Sequence, residues 1–260
     1  MDQGLMTTLG RRAAQRICLQ HDVGILDEAN GASSLGRLRE VSPVGASIAS
    51  KREFAVGKQL RLAFEFSPDE EPIRLHAEVV WTGRMATAPG QVVSGLRFTD
   101  LAGADFTRLK AFIERRLWQV QSFLAGIELF ADLSDLEKLL LASVVVDHQL
   151  AAGAALDRAL GMGSLLIVRS GTVHCRETLG DGRVGEPHTA VAGGLFGGLP
   201  IDPRGLTCSA AKAATDAALL VITPDGFSYL LEKHPDLAFK LMASWALALR
   251  DRCFAATPTG

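Results

Sequence analysis

The sequence predicts a mainly β protein with helices (α+β), in which a small antiparallel barrel precedes a second strand-rich domain. Two segments, 59–66 and 73–81, alternate apolar and polar residues as half-buried strands do. Glycine and proline turn signals separate several short strands in the first half, a spacing typical of small barrels. A stretch with helical spacing, 105–124, then precedes a second strand-rich region that begins near residue 145.

The first half of the sequence contains six strand patterns, which predict a six-stranded barrel. The two strongest strands each place their apolar residues on one face, and in 73–81 the inward series is predicted to end with Trp81. The 105–124 helix has one apolar side and is expected to close the barrel. Weaker strand patterns occupy 16–26, 35–41, 44–49 and 92–98.

The second half mixes helices with strands. Ser134 and Glu137 have the spacing of a capping box and predict a helix over 134–145. Residues 165–177 read as two strands that turn at Ser170–Gly171. Thr223 with Pro224 predicts one helix start and Pro235 another. The domain boundaries that we predict are 11–117 and 118–260.

Composition excludes several classes of protein. The formal net charge of -2 disfavours general nucleic-acid binding. No apolar run reaches the length of about 18 residues expected of a membrane helix. The first ten residues do not resemble a secretory signal, and the four cysteines are far apart, which favours the reducing cytoplasm over disulfides or zinc. We find no catalytic triad, metal cluster or paired carboxylates, and predict a protein that is not an enzyme and has no cofactor.

Two short motifs stand near the predicted barrel. Arg12 and Arg16 have the spacing RxxxR, and Glu40, Ser42 and Gly45 have the spacing acid-x-S-x-x-G. Neither motif is specific by itself. Together with the VVW strand end and the SGLRF strand, they make 11–117 resemble a PilZ domain, a family of bacterial receptors for cyclic di-GMP.

This resemblance implies a ligand with two phosphates and two guanines. Guanidinium groups bind phosphate and guanine edges through paired hydrogen bonds and stack on bases. The implied ligand-binding residues are Arg11, Arg12, Arg16, Glu40, Ser42 and Gly45. Within that set the acid at position 40 accepts from guanine, the serine supplies a hydroxyl, and the glycine permits close ligand approach.

Position 40 departs from the family pattern, which has Asp or Asn there. The longer side chain of Glu40 puts the guanine contact in doubt. The alternative reading makes Arg11, Arg12 and Arg16 a solvated tail and Ser42 a turn residue.

Residues 129–252 resemble a cyclic-nucleotide-binding domain of the kind found in bacterial cAMP regulators, which implies a jelly roll with flanking helices. The resemblance lies in LLIVRSGTV, GGLFGGL, PRGLTCSA and the closing helices. It implies a pocket with a glutamate for the ribose hydroxyl and an arginine for the cyclic phosphate. The matching positions are Phe196, Gly197, Gly198 and Leu199, followed by Arg204 and Gly205.

Two of these positions depart from the pattern. Gly198 stands where the family has the glutamate, and Gly205 replaces a hydroxyl residue beside Arg204. Loss of a charged hydrogen bond costs about 1.5–3 kcal/mol, which disfavours tight cAMP binding. The simpler reading makes this domain a docking and dimerising module.

The last helix, 235–253, is apolar around most of its circumference, which predicts a homodimer. The alternative is that it packs under the first domain or the linker helix. The leading functional hypothesis is a cyclic di-GMP receptor acting on an unidentified downstream protein. A cAMP or dual sensor and a scaffold that binds neither nucleotide stay open. Because no recognition-helix module follows the last helix, a DNA-binding regulator is disfavoured.

Overall fold

The structure, a computed structural model, describes residues 16–66, 69–84, 90–161, 163–178, 182–199 and 206–255. The chain divides into two compact units, one ending at Trp118 and the other beginning at Gln119. The boundaries expected from the sequence, 11–117 and 118–260, stay a prediction.

Six antiparallel strands of the first unit form a closed barrel in the order β1-β2-β3-β6-β5-β4. Closure leaves these strands without a free edge. The predicted six-stranded barrel is therefore confirmed. The strands are β1 (Ile17–Asp27), β2 (Ser33–Ser42), β3 (Gly45–Ser50), β4 (Gln59–Phe64), β5 (Ile73–Arg84) and β6 (Val92–Phe98).

Alternation along β4 and β5 fills the barrel with aliphatic and aromatic side chains. Leu60, Leu62 and Phe64 of β4 are at most 1% exposed. Helix α1 (Ala104–Ala125) covers the barrel, and the ring of its Phe112 stacks on Phe66 with centroids 3.9 Å apart. The aromatic stack and the apolar face of α1 bury surface that a six-stranded barrel would otherwise expose.

The prediction that Trp81 points inward is wrong. The pairing of β5 with β6 shifts by one residue between Val79, which faces Leu96, and Trp81, which faces Gly95. This β-bulge interrupts the alternation, so Val79 is buried while Trp81 is 49% exposed. Period-two reasoning fails here because one extra residue moves all later side chains to the other face.

A buried carboxylate fastens the end of β1. The side chain of Asp27 is fully buried, and its Oδ2 lies 2.6 Å from Nη2 of Arg52 and 2.7 Å from Nζ of Lys58. The hydrogen bond from Lys58 holds the pKa of Asp27 below its ordinary value, although burial opposes the shift. Asp27 therefore ties β1 to the segment that precedes β4.

The second unit has two antiparallel sheets, ordered β10-β9-β12 and β11-β8-β13-β7. The two sheets enclose an apolar core that includes Val173, Phe196 and Leu219. The architecture agrees with the predicted jelly roll with flanking helices. The strands are β7 (Val146–Leu150), β8 (Leu165–Ser170), β9 (Val173–Thr178), β10 (His188–Ala190), β11 (Leu195–Gly197), β12 (Thr207–Ala213) and β13 (Ala217–Ile222).

The predicted helix starts are confirmed. Helix α2 (Asp135–Val144) begins with a capping box between Ser134 and Glu137. Thr223 caps α4 (Pro224–Lys233), and α5 (Pro235–Ala255) begins at the expected proline. Shorter helical turns cover Glu128–Phe130 and, as α3, Arg158–Gly161. None of the described helices has the length and apolar character needed to span a bilayer.

Candidate functional site

A groove of about 410 Å³ opens on the barrel beside the turn that joins β2 to β3. Arg16, Glu40, Ser42 and Gly45 line this groove, so the structure brings together four of the six predicted ligand-binding residues. Arg11 and Arg12 lie outside the described residues. Sequence reasoning did not assign the opposite side, which β5 and β6 supply through Trp81, Leu96 and Arg97.

Arg16 and Glu40 form an ion pair at one side of the groove. Nη1 of Arg16 lies 3.5 Å from Oε2 of Glu40, and the two side chains are 60% and 40% exposed. Exposed pairs of this kind contribute about 0–1 kcal/mol, so an anionic ligand can replace the carboxylate at small cost.

The hydroxyl of Ser42 organises the turn between β2 and β3. It donates to the carbonyl of Gly45 at 3.1 Å and accepts from the amide of Val44 at 3.4 Å. The hydroxyl has one proton, which the turn uses, and its oxygen keeps a lone pair for a further donor. This arrangement matches the alternative reading of Ser42 as a turn residue, and a direct contact with ligand stays a prediction.

The pairing of β3 with β6 requires a glycine at position 45. A Cβ at this position would collide with the carbonyl oxygen of Leu96 on the neighbouring strand β6. Gly45 pairs with both Ser42 and Arg97 in the ladders. The missing side chain therefore lets β3 approach β6, a reason different from the close ligand approach that the sequence suggested, which stays a prediction.

Trp81 forms an aromatic wall of the groove. A Cβ at Gly95, which faces Trp81 across the β5–β6 ladder, would collide with the indole, so the ring lies over the glycine. An aromatic residue that covers a cross-strand glycine is a recurrent sheet arrangement. No sequence signal located this wall, because Trp81 faces Gly95 only through the register shift between β5 and β6.

Arg97 supplies a second guanidinium on the far side. Its Nη2 lies 2.8 Å from Oε2 of Glu78, and the arginine side chain is 62% exposed. Among the residues that the structure describes, two exposed arginines line the groove, each paired with a carboxylate. A doubly anionic ligand could exchange with both carboxylates, and the guanidinium forks suit phosphate or guanine.

The predicted pocket of the second unit has a different character. Phe196 and Leu199 are buried core residues, 0% and 5% exposed. A side chain at Gly198 would collide with the carbonyl oxygen of Leu206, so the position of the family's glutamate is filled by backbone. Gly197 has a φ of 77°, where glycine is favoured. Arg204 and Gly205 lie outside the described residues.

Sequence reasoning also overlooked Glu177. This residue is only 8% exposed, and its Oε1 accepts from the amide of Gly197 at 2.7 Å. Burial, and then the negative charge of Glu177, raise the pKa of the nearby Cys208 thiol to about 11. The alternation Val173, Cys175, Glu177 on β9 was the available signal, because it places a carboxylate on the inward face.

Metal ligation has little support in the described part of the chain. Sγ of Cys175 lies 3.1 Å from Nε2 of His188, not beside the adjacent His174. Among the described residues, no group of three or more His, Cys, Asp and Glu side chains could hold a metal ion.

Residues 10–115 match the family described as the PilZ domain. The first unit is a PilZ domain. The match covers the six barrel strands and the residues of the two sequence motifs. The family is one of binding domains, and no catalytic family is indicated.

The chain is also similar to solved structures. One is a cyclic nucleotide-binding domain from Methylobacillus flagellatus, with 21% identity over 55% of this chain and 80% of that one and a TM-score of 0.44. Another is the catabolite activator protein of Thermus thermophilus, with 27% identity over 49% of this chain and 60% of that one and a TM-score of 0.39.

A third similar structure is the inhibitor of motility from Bacillus subtilis, with 21% identity over 43% of this chain and 53% of that one and a TM-score of 0.37. No curated protein matches the chain. At these TM-scores the likenesses say nothing about ligands.

Proposed function

We propose that the chain is a cytoplasmic bacterial receptor that binds cyclic di-GMP in the groove of its PilZ domain and passes the signal to a downstream protein. The observation that carries the proposal is the convergence of Arg16, Glu40 and the Ser42–Gly45 turn with Trp81 and Arg97 around one groove. Its volume of about 410 Å³ lies within the range of about 300–1,000 Å³ typical of small-molecule sites.

Each part of the ligand has a chemical partner in this groove. The phosphates suit the guanidinium of Arg16, together with those of Arg11 and Arg12. A guanine suits the exposed indole of Trp81 as a stacking surface, and Arg97 suits the acceptors on a guanine edge. The carboxylate of Glu40 is the predicted acceptor for the guanine donors.

Isothermal titration calorimetry of the full chain tests the proposal. We expect cyclic di-GMP to bind, and Arg16→Ala to weaken binding by about tenfold to a hundredfold, as loss of a charged hydrogen bond requires. Arg12→Ala should weaken it similarly. Arg37→Ala is the matched control, because this exposed arginine contacts Gln20 at 3.2 Å and does not line the groove.

Three results would contradict the proposal. If neither cyclic di-GMP nor cAMP binds in the same titration, a scaffold is the function that remains. Binding of cAMP alone would assign the sensor role to the second unit. Equal losses in Arg37→Ala and Arg16→Ala would mean that binding depends on general positive charge and not on the groove.

We further propose that the second unit dimerises the chain through α5. The buried side of α5, with Leu237, Leu241 and Trp245 at most 3% exposed, is used within its own unit. Phe239 and Leu247 on its outer side are 62% and 54% exposed. These two residues are eight apart and lie on one face, which suits a self-complementary contact with a second copy.

Light scattering tests dimerisation. We expect a dimer for the natural sequence and a monomer for the double variant Phe239→Glu, Leu247→Glu, because two charges would be buried in the interface. Leu231→Glu on α4 is the control, since Leu231 is 41% exposed and belongs to another helix. A monomeric natural protein would contradict the proposal.

A further inference from the structure

A second groove, of about 520 Å³, lies on the outer face of the barrel. Its volume is within the range of about 300–1,000 Å³ that is typical of small-molecule sites. Strands β2, β1, β4 and β5, which are consecutive neighbours in the closed barrel, supply its lining. Six outward-facing residues determine its chemistry: Gly24, Leu26, Leu35, Arg61, Ala63 and Arg74.

Small residues form the floor of this second groove. Gly24 of β1 and Ala63 of β4 face each other across the ladder. Among the described residues, a Cβ added at Gly24 would meet Ala63 alone within 4 Å, so the space above the floor is open. The flanking strands β2 and β5 are three strand spacings apart, about 14 Å along the sheet. The chemistry of the site therefore depends on what these two sides present.

The β2 side of the second groove is apolar. Leu35 faces Gly24 and is 75% exposed, more than any other large apolar side chain in the described part of the chain. Leu26 lies diagonal to Leu35 on the same face of the sheet. An apolar group that covered these two leucines would remove their surface from water, which is favourable in proportion to the area covered.

The opposite side of the second groove is cationic. Arg74 of β5 faces Ala63 of the floor, and Arg61 of β4 lies diagonal to Arg74 on the same face. Diagonal neighbours are close enough for two long side chains to reach one anionic group. Arg61 is 47% exposed, and its Nε lies 3.7 Å from Oε1 of Glu28. An anion can displace this long, exposed contact at small cost.

The guanidinium of Arg74 is available to a ligand because the adjacent carboxylate binds other groups. Oδ2 of Asp105 accepts the backbone N–H of Arg74 at 2.9 Å. Oδ1 of Asp105 lies 3.0 Å from Nη1 of Arg108. Guanidinium groups bind carboxylates through two parallel hydrogen bonds, so Arg74 suits this kind of anion.

We infer that the second groove binds a free, small amphipathic carboxylate of the medium-chain fatty acid type. Its apolar body, about 10 Å long, extends from Leu35 over the small-residue floor, and its carboxylate meets Arg61 and Arg74. The inference goes beyond the proposed binding of cyclic di-GMP and does not depend on it, because no described residue lines both grooves.

Fluorescence of anilinonaphthalene sulfonate, an apolar anion that emits strongly in apolar surroundings, tests the inference on the full chain. We expect a dissociation constant on the order of 100 µM, and displacement by decanoate below its micelle concentration. Decanol, which has the same chain and no charge, should compete about tenfold less well. Arg74→Ala should weaken decanoate binding by about tenfold, as loss of a charged hydrogen bond does. Arg97→Ala, which removes an exposed arginine of the cyclic di-GMP groove, should leave it unchanged.

Filling the floor provides a second test that does not alter charge. Ala63→Phe should abolish the emission that decanoate displaces while the unfolding temperature stays within about 3 °C of the natural value, because the new ring enters open space. Ala210→Phe is the matched control, since Ala210 is an exposed alanine on strand β12 of the other unit. It should keep the full decanoate response.

Equal decanoate responses in Ala63→Phe and Ala210→Phe would overturn the inference. Equal competition by decanol and decanoate would do the same, because the arginines would then recognise nothing. Displacement of the probe by cyclic di-GMP would assign it to the first groove. Sedimentation of the chain with phosphatidylglycerol vesicles, without any response to decanoate, would assign the surface to a membrane and also contradict a free ligand.

Discussion

The groove of the PilZ domain and the interior of the second unit each contain a glutamate whose carboxylate binds another group of the same unit. In the groove, Glu40 pairs with the Arg16 guanidinium, and its side chain is 40% exposed. In the interior, Glu177 holds the Gly197 amide, and its side chain is 10% exposed. Water screens the first contact and competes with it, whereas the second is made in a low-dielectric core. The exposed contact of Glu40 is therefore easier to displace than the buried contact of Glu177.

The largest expected effect comes from adding a side chain where the interior is closed. Gly198→Ala should destabilise the second unit by about 3 kcal/mol, because its Cβ would collide with the carbonyl of Leu206. Gly24→Ala is the control, since its Cβ would meet the Ala63 side chain at an ordinary 3.5 Å. Urea unfolding measures both. Equal stability of the two variants would contradict a closed interior.

A strong effect is also expected at the aromatic wall of the groove. Trp81→Ala should weaken cyclic di-GMP binding by about tenfold or more, since stacking on a base contributes about 1–3 kcal/mol. Trp118→Ala provides the control, because Trp118 is 66% exposed and does not line the groove. Titration calorimetry distinguishes the two variants. An unchanged affinity of Trp81→Ala for cyclic di-GMP would mean that the indole does not contact the ligand.

A smaller effect concerns the charge beside Cys208. Because the folded thiol has a pKa of about 11 against an ordinary value of 9.0, the folded state keeps its proton when the unfolded state has lost it. The stability linked to this thiol is complete below pH 9 and falls as the pH rises toward 11. Urea unfolding at pH 8 and pH 10.5 should show a greater loss in the natural protein than in Cys208→Ala, by no more than about 2 kcal/mol. An identical loss would contradict the shift.

The smallest effect is expected at Glu40. Because the carboxylate of Glu40 is the proposed acceptor for the guanine donors, Glu40→Gln should weaken cyclic di-GMP binding by up to about fivefold, and release of the exposed ion pair with Arg16, which contributes about 0–1 kcal/mol, offsets little of this loss. Tighter binding would mean that the carboxylate mainly competes with the ligand for Arg16. Glu65→Gln, an exposed change outside the groove, should leave the affinity unaltered.

Local signals in the sequence predicted the fold well. The capping box at Ser134 and the helix start at Pro235 depend on a few adjacent residues, and both were found as predicted. All six barrel strands followed from alternation and turn residues. The two motifs also located one side of the groove, because Glu40, Ser42 and Gly45 are close in the chain.

The opposite side of the groove and the closed interior depend on long-range pairing. Trp81 was assigned inward because alternation cannot reveal a bulge that forms only when β5 pairs with β6. Glu177 and Gly197 are 20 residues apart in the chain and come into contact only because β9 and β11 enclose the same core. Neither contact has a local sequence motif, so both required the folded structure.

The extra residue at the β5 bulge has a consequence for how a binding surface of this kind arises. Deleting Val80 would restore the regular pleat and still leave the indole on the outer face opposite Gly95, because the residue that follows Val79 takes that position in regular pairing. The bulge therefore absorbs one extra residue in β5 without moving the aromatic platform off the outside of the barrel. Relatives without the extra residue would then keep the same aromatic wall.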